Sequence, residues 1–168
     1  NKPVIIFGAN HIGKNAIDIF KSNNQMIYCL LDDNKELHGQ EFGDVSILSD
    51  CDDRGYIKFI GNKCDAFVAS DDNKYRKSLI DIIVKERKVM PVNAIHEQAN
   101  VSSSSQLGYG NFIGLGTQVN AFAKIGNHVI LQSGTVVDAN VTIEDFVQVG
   151  IGSNIGANVT IEENTFIG

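Results

Sequence analysis

The second half of the sequence repeats with a period of six residues. From Val101 to Ile167 every sixth residue is aliphatic, at all twelve positions of the series. A helix does not explain this period, because six residues turn a helix through about 600° and the repeated position would drift around its surface. Simple alternation along a strand does not explain it either, since glycine recurs at a fixed offset. The repeated residues are Val101, Leu107, Ile113, Val119, Ile125, Leu131, Val137, Ile143, Val149, Ile155, Ile161 and Ile167.

The period predicts a prism-shaped coil, in which each hexapeptide lays one short strand on a flat side and then turns a corner. Three hexapeptides would close a coil, with the aliphatic side chain at the axis and a small or β-branched fifth residue filling the corner. Glycine often follows the aliphatic residue, and we expect it to relieve the turn. The eleven complete hexapeptides of residues 101–168 make almost four coils. A β-sandwich is the alternative, but its turns fall at irregular intervals of about 8–12 residues.

The first half alternates strand-like and helical segments, as an α/β domain does. A buried strand over residues 3–7, the turn Gly8–Lys14 and an amphipathic helix over residues 15–21 open a βαβ unit, whose helix N-terminus offers N–H groups to an anion. The dinucleotide fingerprint G-x-G-x-x-G is not met, because its second glycine slot holds Asn10. The other predicted segments are strands over 26–31, 66–70 and 89–92 and a helix over 73–87 with apolar Leu79, Ile82 and Ile83.

Composition argues against several classes of partner. The chain of 168 residues has 20 acidic and 14 basic residues and a net charge of −6, which is unfavourable for binding a nucleic-acid backbone. Three cysteines without a CxxC pair favour a reducing compartment, so we expect a cytoplasmic protein. No apolar run approaches the roughly 18 residues of a membrane span. No histidines, cysteines and carboxylates cluster with the spacing of a metal site, so we expect no metal.

Four stretches, together with the repeat, resemble a known family: Ile5–Lys14, Leu30–Asn34 (LLDDN), Phe67–Arg76 (FVASDDNKYR) and Ile95–Val101 (IHEQANV). The family is that of the NeuD-type and PglD-type sugar acetyltransferases, which acetylate sialic acids or nucleotide-linked amino sugars. The resemblance implies a Rossmann-like domain over residues 1–93 that holds the nucleotide sugar. It implies a left-handed parallel β-helix of hexapeptide repeats over residues 94–168 that holds acetyl-CoA. It also implies a homotrimer, with acetyl-CoA as co-substrate between neighbouring β-helices.

The resemblance further implies which residues hold the nucleotide-linked amino sugar. The first turn would face the nucleotide or its phosphates, Asp32 and Asp33 would contact hydroxyls or the base, and residues after the third strand would line the opposite wall. The family pattern is broken at Ile12, which stands in a histidine slot, with His11 one residue earlier. Local structure is the alternative, since Asp32-Asp33-Asn34 is an ordinary turn sequence. The implied substrate-binding residues are Gly8, Asn10, His11, Gly13, Lys14, Asp32, Asp33, Ser70 and Asp71.

The chemistry of acetyl transfer needs a base that removes the proton of the attacking amine or hydroxyl. The family places a histidine on the coil, in a context that corresponds here to Val137–Val141. The base slot is therefore Ala139, and the carboxylate that would orient the base is Asn140. With Asp138 these residues form the implied catalytic set, and a second histidine slot of some relatives holds Gln148. An engineered His→Ala change and a natural loss both explain Ala139, and the sequence does not separate them.

None of the four histidines is an evident replacement for the base. We expect His128 to be a solvated residue that faces outward like Ala139 on a different side of the prism; the alternative is that a trimer brings it near the site of a neighbouring subunit. His96 resembles a structural histidine of the family, and His11 would reach substrate but not the coil. One interpretation is thus an acetyltransferase with an impaired base. The other is a non-catalytic sugar-nucleotide-binding or scaffold trimer. The identity of the sugar, and transfer to nitrogen or oxygen, are left open.

Acetyl-CoA is expected to approach the coil where side chains are small. Residues 99–168 contain five acidic residues and one basic residue, so the cationic partners of the CoA phosphates are expected in further C-terminal coils or in another subunit. The expected acetyl-CoA contacts are Gly134, Gly150, Gly152, Gly156 and Ala157.

Overall fold

A computed structural model describes all 168 residues. The chain folds into two compact units, Asn1–Val92 and Asn93–Gly168. The first unit combines a sheet with helices, and the second consists of short parallel strands joined by tight turns.

The first unit is built on a five-stranded sheet with the strand order β3-β4-β2-β1-β5. The central strands run parallel, and only β3 is antiparallel to its neighbour β4. The strands that follow β1 in the sequence are first added on one side of it, as β2 and β4, and then on the other side, as β5. The elements are β1 (Val4–Phe7), α1 (His11–Ser22), β2 (Ile27–Leu31), a 3₁₀ helix (Lys35–Leu37), β3 (Glu41–Phe42), β4 (Val45–Ser49), α2 (Arg54–Ile57), β5 (Asp65–Val68) and α3 (Asn73–Arg87).

Capping residues determine where the two long helices begin. Asn10 is extended and caps α1, so α1 begins at His11 rather than at residue 15 as the sequence predicted. Residues 11–14 therefore belong to a helix and not to the turn. Asp72 caps α3 by accepting a hydrogen bond from the N–H of Tyr75. The helix ends at Arg87, and the C-cap residue Lys88 has a left-handed conformation with φ of 59°.

Several predictions about the first unit need correction. No strand forms over residues 89–92, because Pro91 has no N–H, and the contact with β5 is made by the Val92 N–H, which donates to the Ala66 carbonyl. The hairpin of β3 and β4 was not predicted, although the buried Val45 and Ile47 alternate with Ser46 and the exposed Leu48. In α3 the buried aliphatic residues are Leu79, Ile80 and Ile83, while Ile82 is only half-buried.

The second unit is a parallel β-helix of three sheets. Strands eighteen residues apart pair in parallel, as Gln118 does with Val136 and Val136 with Asn154. The predicted coil of three hexapeptides is therefore confirmed. Its strands are β6 (Ala94–Ile95), β7 (Asn100–Val101), β8 (Gln106–Leu107), β9 (Phe112–Ile113), β10 (Gln118–Val119), β11 (Lys124–Ile125), β12 (Ile130–Leu131), β13 (Val136–Val137), β14 (Thr142–Ile143), β15 (Gln148–Val149), β16 (Asn154–Ile155), β17 (Thr160–Ile161) and β18 (Phe166–Ile167).

The repeated aliphatic residues form the interior of the coil, as predicted. Nine of the twelve are buried, and Val101, Leu107 and Ile167 pack against them while half-buried. Fifth-position residues such as Ala123, Val129, Val141 and Val147 are also buried in this core. The first-position residues of the three sheets and many of the fifth-position residues therefore fill the interior of the coil.

The turn of each hexapeptide falls at its fourth residue, not at the glycine after the aliphatic residue. From Gly110 to Asn164 every fourth-position residue has a positive φ, and the residues are not only glycines. Glycine at the second position instead allows the backbones of neighbouring coils to approach each other closely. A Cβ on Gly114 would lie 2.8 Å from the Ser133 backbone nitrogen of the next coil. The fourth-position residues are Gly110, Gly116, Phe122, His128, Gly134, Asn140, Phe146, Gly152, Asn158 and Asn164.

Because the coils are in register, the turns stack in three corners that we name by one residue each. The second to fourth residues of successive hexapeptides define them. The Ala139 corner comprises 102–104, 120–122, 138–140 and 156–158, the His128 corner comprises 108–110, 126–128, 144–146 and 162–164, and the Gly134 corner comprises 114–116, 132–134 and 150–152.

The close approach of neighbouring coils predicts unequal effects for two glycine substitutions. Gly114→Ala should lower the free energy of unfolding of the coil by about 1–3 kcal/mol, because backbone atoms of the next coil cannot move aside. Gly156→Ala is the matched control, since its Cβ would meet no atom within 4 Å; it should change stability by less than about 0.5 kcal/mol. Urea unfolding followed by circular dichroism measures both, and equal losses would contradict this role of the glycine.

Candidate functional site

The turn after β1 is packed too tightly for side chains at two of its positions. Gly8 has a φ of 117°, and a Cβ there would lie 1.9 Å from the Ala69 carbonyl oxygen. A Cβ on Gly13 would lie 2.0 Å from the carbonyl oxygen of Gly8. The two glycines thus allow the start of α1 to pack against the turn and against the segment that follows β5.

The side chain of Asn10 stabilises the same turn through three hydrogen bonds. Its Oδ1 accepts from the N–H groups of Ile12 and Gly13 at 2.9 and 3.1 Å, and its Nδ2 donates to the Ala69 carbonyl at 2.9 Å. Two amides of the first turn of α1 are therefore already bound by a side chain. His11 and Lys14 are the exposed polar side chains of this region.

Asp32 and Asp33 join neighbouring loops through both of their carboxylate oxygens. Asp32 accepts hydrogen bonds from the backbone N–H groups of Ala9 and Asn34, each at 2.8 Å. Asp33 accepts from the Cys51 N–H at 2.9 Å and from the Tyr75 hydroxyl. The local-structure interpretation of these aspartates accounts for their contacts, although carboxylate oxygens retain the capacity to accept a further hydrogen bond.

Tyr75 is a residue of this region that sequence reasoning missed. Burial, and then its hydrogen bond to Asp33, raise the pKa of its hydroxyl well above the usual range. Burial also raises the pKa of the neighbouring Cys51 thiol to about 12, so this thiol stays protonated near neutral pH. The only sequence signal for Tyr75 is its place in the first turn of α3, close to the end of β5.

The residues after β5 differ in their exposure. Ser70 is buried and accepts a hydrogen bond from the Asp72 N–H at 3.1 Å, whereas Asp71 is exposed. Arg76 is 1% exposed and donates to Asn73 at 2.7 Å. Burial lowers the pKa of its guanidinium to about 10, against the opposing effect of Asp71. Sequence reasoning missed this buried cation.

The structure therefore brings together the three segments of the first unit that were expected to bind the substrate. Bonds from Asn10 to Ala69 and from Ala9 to Asp32 join the first turn to the loops after β5 and β2. These loops follow the carboxyl ends of adjacent parallel strands, at the point where the strand order reverses. In open α/β sheets this edge is where ligands bind.

In the second unit, Ala139 lies in a column of three alanines. Residues eighteen apart on the Ala139 corner are Ala121, Ala139 and Ala157, and Ala139 is half-buried between two exposed neighbours. Backbone hydrogen bonds join the coils here, since the Asn158 N–H donates to the Ala139 carbonyl at 3.0 Å. Asn140 is exposed and donates through Nδ2 to Asn158 at 3.2 Å. No side chain of this column can accept a proton.

Asp138 is the ionisable member of the implied catalytic set. Its Oδ1 accepts hydrogen bonds from Asn120 Nδ2 at 3.0 Å and from the Ala139 N–H at 2.8 Å. These two bonds, that from Asn120 first, lower the pKa of the carboxyl below its usual range. A carboxylate of lowered pKa is a weak base, so Asp138 does not replace an imidazole.

The residues expected to contact acetyl-CoA fall into two groups. Gly134, Gly150 and Gly152 lie on the Gly134 corner, whereas Gly156 and Ala157 lie on the Ala139 corner. The sheet of β7, β10, β13 and β16 separates these two corners within one chain. The structure thus places only the second group beside Ala139.

His128 and the occupant of the second histidine slot, Gln148, are both buried. His128 was expected to face solvent, but it is 6% exposed because its ring packs against Phe146 of the next coil, with ring centroids 5.0 Å apart. Its nitrogen Nδ1 also lies over Gly110, where a Cβ would come within 2.3 Å. Gln148 is 5% exposed on β15. Neither is positioned as an open base at the Ala139 corner.

A shallow groove of about 610 Å³ runs along the sheet of β8, β11, β14 and β17 toward the His128 corner. Lys124, the only basic residue of the coil, lines it together with Glu144, Asp145 and Glu163. Sequence reasoning did not single out this groove. Its carboxylates outnumber its one cation, which is unfavourable for a phosphate-bearing ligand.

Two further findings concern ligands and membranes. No group of three or more histidines, cysteines, aspartates or glutamates is arranged to hold a metal ion. None of the helices combines the length and apolar character needed to cross a membrane.

Neither a protein-family model nor a curated protein matches the chain. Solved structures do resemble it. A histidine-to-alanine mutant of GDP-perosamine N-acetyl transferase from Caulobacter crescentus, in complex with CoA and GDP-perosamine, has a TM-score of 0.75 at 23% identity and covers 99% of this chain and 93% of that one. The acetyltransferase domain of PglB from Neisseria gonorrhoeae, in complex with acetyl coenzyme A, has a TM-score of 0.77 at 17% identity and covers 99% and 84%. WeeI from Acinetobacter baumannii has a TM-score of 0.70 at 15% identity and covers 100% and 95%. These likenesses show that the chain shares the fold of these proteins.

The contacts of Asn10 predict that its side chain stabilises the first unit. Asn10→Ala should lower the free energy of unfolding by about 1–2 kcal/mol, because it removes a helix cap and the bond to Ala69. Asn15→Ala is the control, since Asn15 is exposed in the interior of α1 and alanine is the better helix former. Thermal unfolding compares the two variants, and an Asn10→Ala variant as stable as Asn15→Ala would contradict the assignment.

Proposed function

We propose that the chain is a sugar acetyltransferase of the NeuD and PglD type, which uses acetyl-CoA and acts on a nucleotide-linked amino sugar. The observation that carries the proposal is the combination of both units in one chain. The full length matches the fold of a protein named GDP-perosamine N-acetyl transferase and of the PglB acetyltransferase domain. The binding of CoA, acetyl coenzyme A and GDP-perosamine by those proteins supports the same ligand classes here.

The first unit is proposed as the Rossmann-like module that holds the nucleotide sugar. Three loops meet at the carboxyl ends of β1, β2 and β5, where the strand order reverses. His11, Lys14 and Asp71 are exposed in these loops. Six other implied residues stabilise the conformation of these loops, and their contacts leave backbone and carboxylate groups able to bind a ligand. They are Gly8, Asn10, Gly13, Asp32, Asp33 and Ser70.

The second unit is proposed as a left-handed β-helix that binds acetyl-CoA as part of a homotrimer. The Gly134 and Ala139 corners are separated by a sheet in one chain. Gly150 and Ala157 can therefore contact one acetyl-CoA only if the Gly134 corner of one subunit meets the Ala139 corner of another. The three unpaired cysteines fit a reducing compartment, which supports a cytoplasmic location.

The proposed reaction transfers an acetyl group from sulfur to nitrogen or oxygen beside Ala139. The nucleophile attacks the thioester carbonyl carbon, the carbon–sulfur bond breaks, and CoA leaves as the thiol. A positioned base contributes typically about 10²- to 10⁴-fold to such a step. With alanine at 139 and a weakly basic carboxylate at 138, this chain binds and orients its substrates but has little means of taking the proton.

The second candidate function is a non-catalytic sugar-nucleotide-binding or scaffold trimer of the same fold. Two observations favour this non-catalytic function: Ala139 has only a methyl side chain, and the column of alanines in which it lies contains no ionisable group. The histidine-to-alanine mutant of GDP-perosamine N-acetyl transferase is in complex with both CoA and GDP-perosamine. In that protein, ligand binding persists without the replaced histidine.

Restoring the imidazole tests the proposal. Ala139→His should raise thiol release from acetyl-CoA by at least about 10²-fold with UDP-linked or GDP-linked amino sugars, because the corner then carries a base of near-neutral pKa. Neighbouring alanines leave room for the ring. The assay follows the CoA thiol with a chromogenic disulfide.

Ala121→His is the matched control, since Ala121 occupies the same column eighteen residues earlier. It adds an identical side chain one coil away and should leave the rate unchanged. If neither variant turns over while the sugar nucleotide still binds, the non-catalytic trimer is supported. Equal gains in the two variants would contradict the assignment of Ala139 as the base slot.

A further inference from the structure

Tyr75 connects two loops of the first unit through Asp33. Its hydroxyl donates a hydrogen bond to Oδ2 of Asp33, and Oδ1 of the same carboxylate accepts from the Cys51 N–H at 2.9 Å. The three residues come from the start of α3 and from the loops after β2 and β4. Both oxygens of Asp33 therefore accept hydrogen bonds within the chain, and its position is determined from two sides.

The backbone of Tyr75 is itself fixed at the start of α3. Its N–H donates to Oδ1 of the capping residue Asp72 at 3.2 Å, and its carbonyl accepts from the Ser78 hydroxyl at 2.7 Å. In the sheet, β1 separates β2 from β5, and β5 leads into α3. The side chain of Tyr75 thus reaches from the β5 side of β1 to the loop on its β2 side.

With this bond, the loops after β1, β2 and β5 are joined pairwise. The loop after β1 bonds to the loop after β2 through the Ala9 N–H, and to the loop after β5 through Asn10. The bond from Tyr75 to Asp33 connects the loop after β2 with the helix that follows β5. This closed set of contacts holds the three loops in one arrangement, so little conformational freedom is lost when a ligand binds between them.

We propose that Tyr75 is a positioning residue of the nucleotide site, which holds the loop after β2 against the start of α3 in the arrangement that binds a nucleoside diphosphate. It acts through Asp33 and does not contact the ligand. The inference rests on the proposed function and deepens it, since Tyr75 is not one of the implied substrate-binding residues. Without the hydroxyl, the loop after β2 must be ordered by the ligand, which weakens binding.

Tyr75→Phe tests the inference on the full chain, because it removes the hydroxyl and keeps the ring. UDP-linked and GDP-linked amino sugars, and separately CoA, are titrated calorimetrically. The variant should bind the sugar nucleotide about 10-fold more weakly than the wild type does, because a hydrogen bond to a charged group is lost. Its affinity for CoA should be unchanged, since CoA is proposed to bind the second unit.

Tyr28→Phe is the matched control, since it removes a tyrosine hydroxyl elsewhere in the same unit. Tyr28 lies on β2, is 47% exposed and has its ring against that of Phe59. This variant should bind both ligands as the wild type does. Far-UV circular dichroism of each variant checks that the helices and sheets are retained.

A double-mutant cycle with Asp33→Ala distinguishes positioning from direct contact with the ligand. If Tyr75 acts through Asp33, Tyr75→Phe has no further effect on sugar-nucleotide affinity once residue 33 is alanine. A direct contact, or a general loosening of the first unit, would instead weaken binding by the same factor in both backgrounds.

Three outcomes would overturn the inference and leave the proposed function standing. They are a Tyr75→Phe variant that binds the sugar nucleotide as the wild type does, an equal weakening of CoA binding, and the same factor in both backgrounds of the cycle. A wild-type chain that binds no sugar nucleotide would overturn the proposed function and the inference with it.

Discussion

The register between successive coils is the constraint on which the second unit depends. Each strand pairs with the strand eighteen residues on, so that Val119 meets Val137 and Val137 meets Ile155. Each buried aliphatic side chain of this column contributes about 1.5–3 kcal/mol, and a slip by one residue would turn the column outward. The same register stacks the turns and so determines that Asp138 follows Asn120 and precedes Gly156. The packing of the interior therefore determines which residues lie next to each other at the Ala139 corner.

The interior of the coil was predictable because its signal is one residue type at one fixed interval. The position of the turn could not be predicted, because Phe122, His128 and Phe146 adopt the left-handed conformation in which glycine or asparagine is normally found. Such residues persist there because the coils above and below determine their backbone. The burial of His128 was not predicted because its ring contacts Gly110 and Phe146, which are each eighteen residues away in the sequence.

In the first unit too, the sequence predicts local features but not the contacts between residues that are far apart in the chain. The buried run of β1 and the aspartates after β2 were recognisable in the sequence, but the partners of those aspartates were not, because Cys51 and Tyr75 lie far along the chain. Asn10 was expected to face a ligand, and its side chain is engaged as a helix cap. The contacts of Asn120 likewise required the coil, since it is eighteen residues from Asp138. A site assembled from loops that meet only after folding leaves few signals in any one segment.

The central proposal is that the first unit binds a nucleotide sugar and that the Ala139 corner binds acetyl-CoA. A crystal structure of the chain with CoA and a nucleotide-linked amino sugar tests this most directly. The proposal predicts that the CoA sulfur lies beside Ala139, between copies of the chain, and that the nucleotide contacts the loops after β1, β2 and β5. CoA bound elsewhere, for example in the groove lined by Lys124, or a nucleotide bound away from those loops, would contradict it.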